Sequence, residues 1–496
     1  MWSLLDTELS KNKIWIFYVA AIALFVFPIL QANYLHCDDN ARALSLGELN
    51  WRSEGRVAIE YLYHALSFST GTPNLAPLAH LIAIPISALA LRELAQHLFV
   101  RCTVLECIVI LPLFYSPFNL GILIYQYDGP AIMLGISLII FSFVFGHRPD
   151  RLWWLYSSVL MSISFSFSQL MVNVLLALYC VETADNLSRG ATVRLVVQLL
   201  SRRCIQLAGG LTLYGLVVFP MMDNKRTALL RLDQYWLDAM VARMSEVADK
   251  VSLLATPATS WLWIGFLTCA TLGYLSGIAV MLKRSTPMAE RIGSTLIYLA
   301  IPLLLFLTVP GFTLLLESFD SAARVLLGLA PVCMAGLYFS HKLLTHLHVR
   351  AKLLLALPVF FMLSFSYVAG QTLSVQKELE NVTSHALSHD MFSREELRGL
   401  EDIYLLWPEA EWTRLSTSRG LREHVPAMAY VLNWSGLIVP EQLGRAGLAG
   451  VKSITYQVFS ELDDRVLIVS NKFYSIYRVG RAGYIQMKST GGAEAD

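Results

Sequence analysis

An all-α polytopic membrane protein with about 11 transmembrane helices and a small α+β C-terminal soluble domain is the fold class this sequence predicts. Three observations lead there. Of 496 residues, 55% are apolar and only 15% are charged, against about 25% charged in an ordinary soluble domain. The mean hydropathy is +0.54. Apolar runs of membrane-spanning length recur from residue 14 to residue 371, and the character changes after that. A chain this long has room for roughly three soluble domains, but its charge is too sparse to cover them. With 38 basic against 37 acidic residues, no excess is left to neutralise a nucleic-acid backbone. A soluble enzyme, a nucleic-acid-binding protein and a disordered scaffold are excluded on these grounds.

Crossing about 30 Å of hydrocarbon takes roughly 20 apolar residues. The runs that qualify are 14–31, 75–91, 103–118, 130–146, 152–167, 169–181, 204–220, 260–282, 294–316, 323–340 and 353–371. The first, Ile14 to Leu30, is too long for the apolar core of a cleaved signal and reads as a retained span. A single helix over 152–181 competes with a break at Ser168, and charge decides between them. Basic residues collect at Lys11/Lys13, Arg92/Arg101, Arg148/Arg151, Arg189/Arg194/Arg202/Arg203, Lys283/Arg284/Arg291 and Lys342/Arg350/Lys352. With eleven spans all of these clusters face the cytoplasm, as positive-inside topology requires. The N-terminus is then inside, and residues 372–496 form an outer domain following a transmembrane domain of residues 1–371. The seven cysteines show no metal-ligand spacing and read as small packing residues.

The outer segments are 32–74, 119–129, 221–259, 317–322 and the tail. In the third, Leu229, Leu232, Trp236, Met240, Met244, Val247, Val251 and Leu254 make one apolar helical stripe, that of a helix lying in the membrane interface or packed on the tail. The tail is charged and helix-prone from Ser374 to Trp412. Strand-like alternation follows at Ser453–Phe459, Arg465–Ser470, Phe473–Val479 and Tyr484–Lys488, with Asn471-Lys472 as a hairpin turn.

Chemistry concentrates in the outer segments. Asp38-Asp39 follows the first span directly, where partial desolvation raises a carboxylate towards general-base range. The pair also suits a divalent cation, or Asp39 or Asn40 starts a helix as its cap. Arg56 can grip a phosphate in bidentate fashion. Trp51 offers a ring face to a sugar or an anchor in the aromatic belt, and Glu60 follows on the same loop. Gln126-Tyr127-Asp128-Gly129-Pro130 precedes the fourth span, and Asp128 is a second acid or a helix-end charge. Gln169 and Asn173 share one helix face, as helix–helix bonding or substrate contact. Arg324, one turn inside the tenth span, has Glu317 and Asp320 nearby and is either an ion pair or an anion site. His341, His346 and His348 fall among basic residues in a cytoplasmic loop and read as headgroup-facing. No ATP or redox motif is present, and no cofactor is indicated.

Asp38-Asp39-x-x-Arg42, Trp51 and Gly55-Arg56 together resemble the first outer loop of the GtrII-type bacterial O-antigen glucosyltransferases. Tyr127-Asp128-Gly129-Pro130 resembles that family's aromatic-Asp-Ser-Pro motif, with Gly129 in place of Ser. Ser168-Gln169 and Asn173 are similar to a third stretch, in which the family places an aromatic before the Gln. The resemblance implies a GT-C-like membrane glycosyltransferase of the bacterial inner membrane. Such an enzyme takes a sugar, glucose in this family, from a polyprenyl-phosphate donor and passes it to a surface glycan of the lipopolysaccharide on the periplasmic side. It also implies that Asp38 or Asp39, with Asp128 as second candidate, accepts the acceptor proton, and that Arg42, Arg56 and Arg324 meet the phosphate. A small flippase and a lipid-linked glucose synthase are the implied pathway partners. A transporter or flippase of lipid-linked sugar is the competing reading, and it expects charges at the bilayer midplane and paired interrupted helices.

Overall fold

The structure is a computed structural model and describes residues 7–47, 50–146, 152–222, 228–231, 233–283, 287–347, 349–406, 420–421, 423–432 and 440–488. α1 (Lys11–Ala32) starts where Ser10 Oγ accepts the Lys13 amide, and it stops at Asn33 in the left-handed conformation, which Asn tolerates. The first loop folds into α2 (Asp38–Ser45) and α3 (Val57–Ser67), and α4 (Leu78–Leu98) follows. The next apolar run is broken into α5 (Val104–Ile110), α6 (Pro112–Tyr115), a 3₁₀ turn (Pro117–Asn119) and α7 (Leu120–Leu123). Pro112 and Pro117 have no amide proton to continue the ladder. Asn119 Nδ2 donates to the Leu113 carbonyl at 2.9 Å, supplying a partner that the broken helix lacks.

Longer helices resume with α8 (Asp128–Phe145), α9 (Trp153–Phe167), α10 (Met171–Arg189) and α11 (Val193–Val217). α12 (Trp236–Ser252), α13 (Ser260–Leu282), α14 (Met288–Leu307), α15 (Leu329–Leu347) and α16 (Ala356–Ser393) complete the helical part. α16, α1, α4, α8, α9 and α11 pack in that order as a row, with α10 against α14 and α13 against α15. The expected break at Ser168 is present, with Ser168 extended between α9 and α10.

The eleven-span expectation is not reproduced: among the described residues, eight helical segments are long and apolar enough to cross a membrane. The other three expected spans are helical but fail on length or polarity. α9 has 15 residues, α10 carries Glu182, Asp185 and Arg189, and α15 carries His341 and Lys342. Those polar groups are paired inside the protein. Arg203 donates to Glu182 at 2.7 and 3.0 Å, and Lys342 donates to Asp185 at 2.9 Å. His341 is buried against Glu106 at 2.8 Å, so it does not face headgroups as expected. The side chain of His346, and all of His348, lie outside the described residues.

Contacts gather the basic clusters at one end of the bundle. Leu9 meets Cys102, Arg189 donates to the Leu98 carbonyl, Lys352 pairs with Glu106, and Glu290 caps Val193. Arg148, Arg151 and Arg284 lie outside the described residues.

Three further expectations are corrected. Residues 119–129, read as an outer turn, are all buried: Leu120–Leu123 packs against Ala323, Arg324 and the tail helix Pro426–Leu432, and the first loop folds over Gln126–Asp128. Of the stripe in 221–259, Leu229 makes an isolated bridge to Leu316 instead of joining the helix, and Leu232 lies outside the described residues. The helical stripe begins at Trp236, with Val247 and Leu254 buried.

In the tail, β1 (Asp402–Leu406) lies within the stretch read as helix-prone; residues 407–412 of that stretch are outside the described residues. The tail continues with α17 (Pro426–Leu432), α18 (Pro440–Arg445), β2 (Lys452–Ser453) and α19 (Tyr456–Ser460). β3 (Val466–Ser470), β4 (Tyr474–Val479) and β5 (Ala482–Met487) end it. The sheet order is β2-β1-β5-β4-β3. β1 is parallel to β2 and β5, while β3, β4 and β5 are antiparallel. Pairing with β5 recruits β1 into the sheet and overrides its local preference. The helical α19 stands where a strand over Ser453–Phe459 was expected. Asn471 Oδ1 accepts the Phe473 and Tyr474 amides in the β3–β4 turn, as expected of that hairpin. α16 has 38 residues, about 57 Å at 1.5 Å per residue, and runs unbroken from the bundle into the tail.

The first loop and the tail lie together at one end of the bundle, and Glu290 beside Lys283 lies with the basic clusters at the other. In a chain with its cysteines replaced by alanine, cysteines at Ser69 and at Glu461 should react together with an impermeant thiol reagent on intact spheroplasts. A cysteine at Lys283 should react only after lysis. Opposite labelling of Ser69 and Lys283 sites, with Glu461 following Lys283, would show that the tail does not share the side of the first loop.

Candidate active site

Asp128 opens α8 beneath the first loop and is buried, with 2% exposure. Three side chains of that loop converge on it. Arg56 Nη2 lies 3.0 Å from Oδ1, Trp51 Nε1–H donates to Oδ1 at 2.9 Å, and Arg42 Nη1 donates to Oδ2 at 3.4 Å. The Arg42 guanidinium also covers the Trp51 ring at 4.6 Å. Trp51 is fully buried and sits in this cluster rather than at a lipid boundary. The turn before α8 is equally fixed: Tyr63 Oη–H lies 3.1 Å from the carbonyls of Gln126 and Tyr127, and Tyr127 Oη–H donates to the Thr72 carbonyl.

Asp39 stands on the other side of Arg42. Its Oδ2 accepts the Gln126 amide at 2.7 Å, while Oδ1 is buried without a hydrogen-bond partner and lies 4.0 Å from Arg42 Nη1. α2 begins at Asp38 with Cys37 as its cap and no side-chain capping bond, so Asp39 and Asn40 do not serve as caps. Burial pushes the Asp39 carboxyl up to about 8, with the Asp128 charge adding to the rise; the Gln126 amide and Arg42 oppose it. Asp38 differs from its neighbour: its side chain is 63% exposed and 3.8 Å from Arg42.

A cavity of about 430 Å³ opens beside this cluster. Arg56, Glu54, Gln169, Asp320 and Arg324 are among its polar lining, with Ser168, Tyr214, Thr313 and Ser318, and Ile122, Ile132, Leu170, Phe219 and Phe312 make much of its apolar wall. Arg56 thus borders the cavity while gripping Asp128, and its Nη1 pairs with Glu54 at 3.4 Å. Arg324 precedes α15 rather than lying inside a span, and it donates to Tyr125 Oη at 2.8 Å. Gln169 Nε2 donates to the Glu54 carbonyl and to Tyr214 Oη. Asn173 is fully buried between Pro310 and Phe312 and does not line the cavity. Glu60 is taken up by Arg52, at 2.6 and 2.7 Å. Sequence reasoning did not single out Glu54, Tyr214, Tyr63 or Asn33. They carry no motif, and only the folding of the first loop onto the bundle gives them a place here. Among the described residues no three His, Cys, Asp or Glu side chains converge to hold a metal ion.

Two glycines permit these approaches. A Cβ at Gly129 would lie 2.8 Å from the Leu123 carbonyl oxygen, so the start of α8 closes on α7 only without a side chain. Gly55 has φ +73° and faces Gln169, Tyr214 and Met222.

The sequence model of the family described as "Glucosyl transferase GtrII" matches residues 27–335, which include every one of these site residues. An "Uncharacterized 55.3 kDa protein in gtrB 5'region" of Salmonella phage P22 is 26% identical over 165 residues. That alignment spans 33% of this chain and 34% of the phage protein, about a third of each. No solved structure matches the chain.

Gly55→Ala forces a side chain into the Gln169–Tyr214 contact from a left-handed backbone. It should destabilise the protein by about 1–3 kcal/mol, read as a lower melting temperature in detergent. An unchanged melting temperature would mean that the first loop does not seat on α9–α11 as described.

Proposed function

This chain belongs to the GtrII glucosyl transferase family, and we propose that it moves glucose from a polyprenyl-phosphate donor to a hydroxyl of an O-antigen or other surface glycan. The cavity carries this reading: two arginines, Arg56 and Arg324, line it together with Glu54, Asp320 and an apolar wall, beside the buried acids Asp39 and Asp128. A guanidinium matches a phosphate through parallel N–H bonds, and the apolar wall suits the first isoprene units.

In the proposed step the bond from the anomeric carbon to the donor phosphate oxygen breaks, and a bond to the acceptor oxygen forms. The acceptor proton passes to Asp39, and the phosphate leaves on its lipid with Arg56 and Arg324 stabilising the charge. Asp39 is assigned as the base because its Oδ1 accepts no hydrogen bond and has Arg42 only at 4.0 Å, whereas Asp128 is engaged by two guanidiniums and an indole N–H. Asp128 stands one side chain behind the cavity wall, held by Arg56, and Asp39 lies beyond it across Arg42. In the proposed step Arg56 turns from Asp128 to the donor phosphate, which uncovers Asp128. A lipid-borne donor fits a site on the periplasmic face of the inner membrane, where no nucleotide sugar is at hand. The gathering of basic residues at the opposite end supports that orientation. A small flippase and a lipid-linked glucose synthase would supply the donor.

Asn cannot take the proton, so Asp39→Asn should lower transfer by about 10²–10⁴-fold, while Asp38→Asn changes it little. Arg56→Ala and Arg324→Ala should each raise the donor KM far more than Arg398→Ala in the tail. Equal kinetics in all of these variants, assayed with purified lipid-linked glucose, would remove the cavity from the reaction.

The pH dependence has a definite sign. Only ionised Asp39 accepts a proton, so the rate should rise with pH and level off above about 8. Asp128→Asn removes a like charge and frees Arg42, and both changes favour ionised Asp39. The rising limb in that variant should therefore move to lower pH; a shift upward would exclude Asp39 as the titrating group.

A further inference from the structure

A second cavity, of about 520 Å³, lies between the ends of α1 and α4 and is lined by Phe27, Gln31, Asn33, His80, Leu81 and Gln126 among others. The volume is within the range of about 300–1,000 Å³ that holds small ligands. We infer that this cavity receives a sugar unit of the acceptor glycan, an assignment that rests on the glycosyl-transfer reading and gives the acceptor a place.

His80 is the main observation. It is 1% exposed, and neither Nδ1 nor Nε2 has a hydrogen-bond partner. Leaving such groups unsatisfied is costly. A neutral imidazole offers one donor and one acceptor, and hydroxyls, which do both, satisfy it. The rest of the polar lining is also uncharged. Gln126 Nε2 donates to Asn33 Oδ1 at 2.9 Å, and Gln126 Oε1 accepts from Asn74 Nδ2 at 2.6 Å. No Lys, Arg, Asp or Glu lines this cavity, whereas Arg56 and Arg324, with Glu54 and Asp320, line the first. The first therefore suits a phosphate, and the second a neutral group rich in hydroxyls.

Position connects the two. Ile122 lines the first cavity, and Leu123, Ile124 and Gln126 line the second, so this short stretch is a shared wall. The amide of Gln126 is bonded to Asp39 Oδ2. A sugar held on the Gln126 side chain is therefore one residue from the group that would take its proton.

The test uses the full chain in nanodiscs, polyprenyl-phosphate glucose as donor, and surface polysaccharide from a strain lacking this chain as acceptor. His80→Phe keeps the size of the ring and removes both nitrogens. Gln31→Trp adds bulk at an exposed position at the mouth, without disturbing buried packing. Each should raise the acceptor KM about tenfold or more with the donor KM within twofold, and His80→Gln should recover part of the loss. An acceptor KM unchanged in both His80→Phe and Gln31→Trp, or a donor KM that rises equally, overturns the assignment and leaves a lipid chain as the occupant. Absence of any transfer by the unaltered chain would overturn the glycosyl-transfer reading instead. Saturation-transfer NMR with the deacylated oligosaccharide repeat then reads the cavity directly. Signal lost in His80→Phe supports the assignment, and equal signal, or none from the unaltered chain, overturns it.

Discussion

A carboxylate buried inside a protein must be compensated, and at Asp128 that requirement draws distant parts of the chain together. Arg42 comes from α2, Trp51 from the turn that follows and Arg56 from the start of α3, and all three reach one carboxylate at the head of α8. Removing a partner from such a set exposes an unpaired charge to a medium that solvates it poorly. The first loop is consequently held down over Gln126–Asp128, which become interior. Closure of α8 on α7 at Gly129 follows, and so does the seating of Gly55 on Gln169 and Tyr214. Arg42 is shared by both acids, so the state of Asp39 depends on the same cluster.

The opposite end of the bundle is organised by the same rule with different residues. Arg203 and Glu182, Lys342 and Asp185, and His341 and Lys352 with Glu106 are paired inside the helices. Such pairing allows α10 and α15 to be helices of the bundle even though their polarity keeps them outside the set long and apolar enough to span. The tail meets the other end. Tyr34 and Gln442 both donate to Glu380 of α16, Arg445 of α18 donates to Asn40, and Tyr430 of α17 donates to the Ser321 carbonyl. Asn40 is the neighbour of Asp39, so the C-terminal segment braces the helix that carries the proposed base.

Some of this was legible without coordinates. Composition and apolar run length gave a helical membrane protein, because a span must satisfy its backbone internally and present apolar side chains over a fixed distance. The Asn471-Lys472 turn was readable from local chemistry, and the break at Ser168 from the placing of the basic clusters along the whole chain. Asp39, Arg56 and Asp128 could be picked out by residue type and spacing, since charges beside apolar runs need a reason, and Arg42 by the family resemblance. Yet spacing gave Asp38 and Asp39 equal standing, and it offered capping as an account of either.

Tertiary structure decided between such neighbours. Asp38 projects outward and Asp39 inward because α2 lies on the bundle by one face, and adjacent helix positions point about 100° apart. Tertiary structure also turned 119–129 from loop into core, drew β1 out of a helix-prone stretch by pairing it with β5, and left His80 facing a cavity. By itself the sequence determined the medium the chain lives in, its helical run pattern and the residue types available for chemistry. Which carboxylate is buried, which arginine faces a cavity and which histidine lacks a partner depended on contacts across scores of residues, and local periodicity carries no record of those.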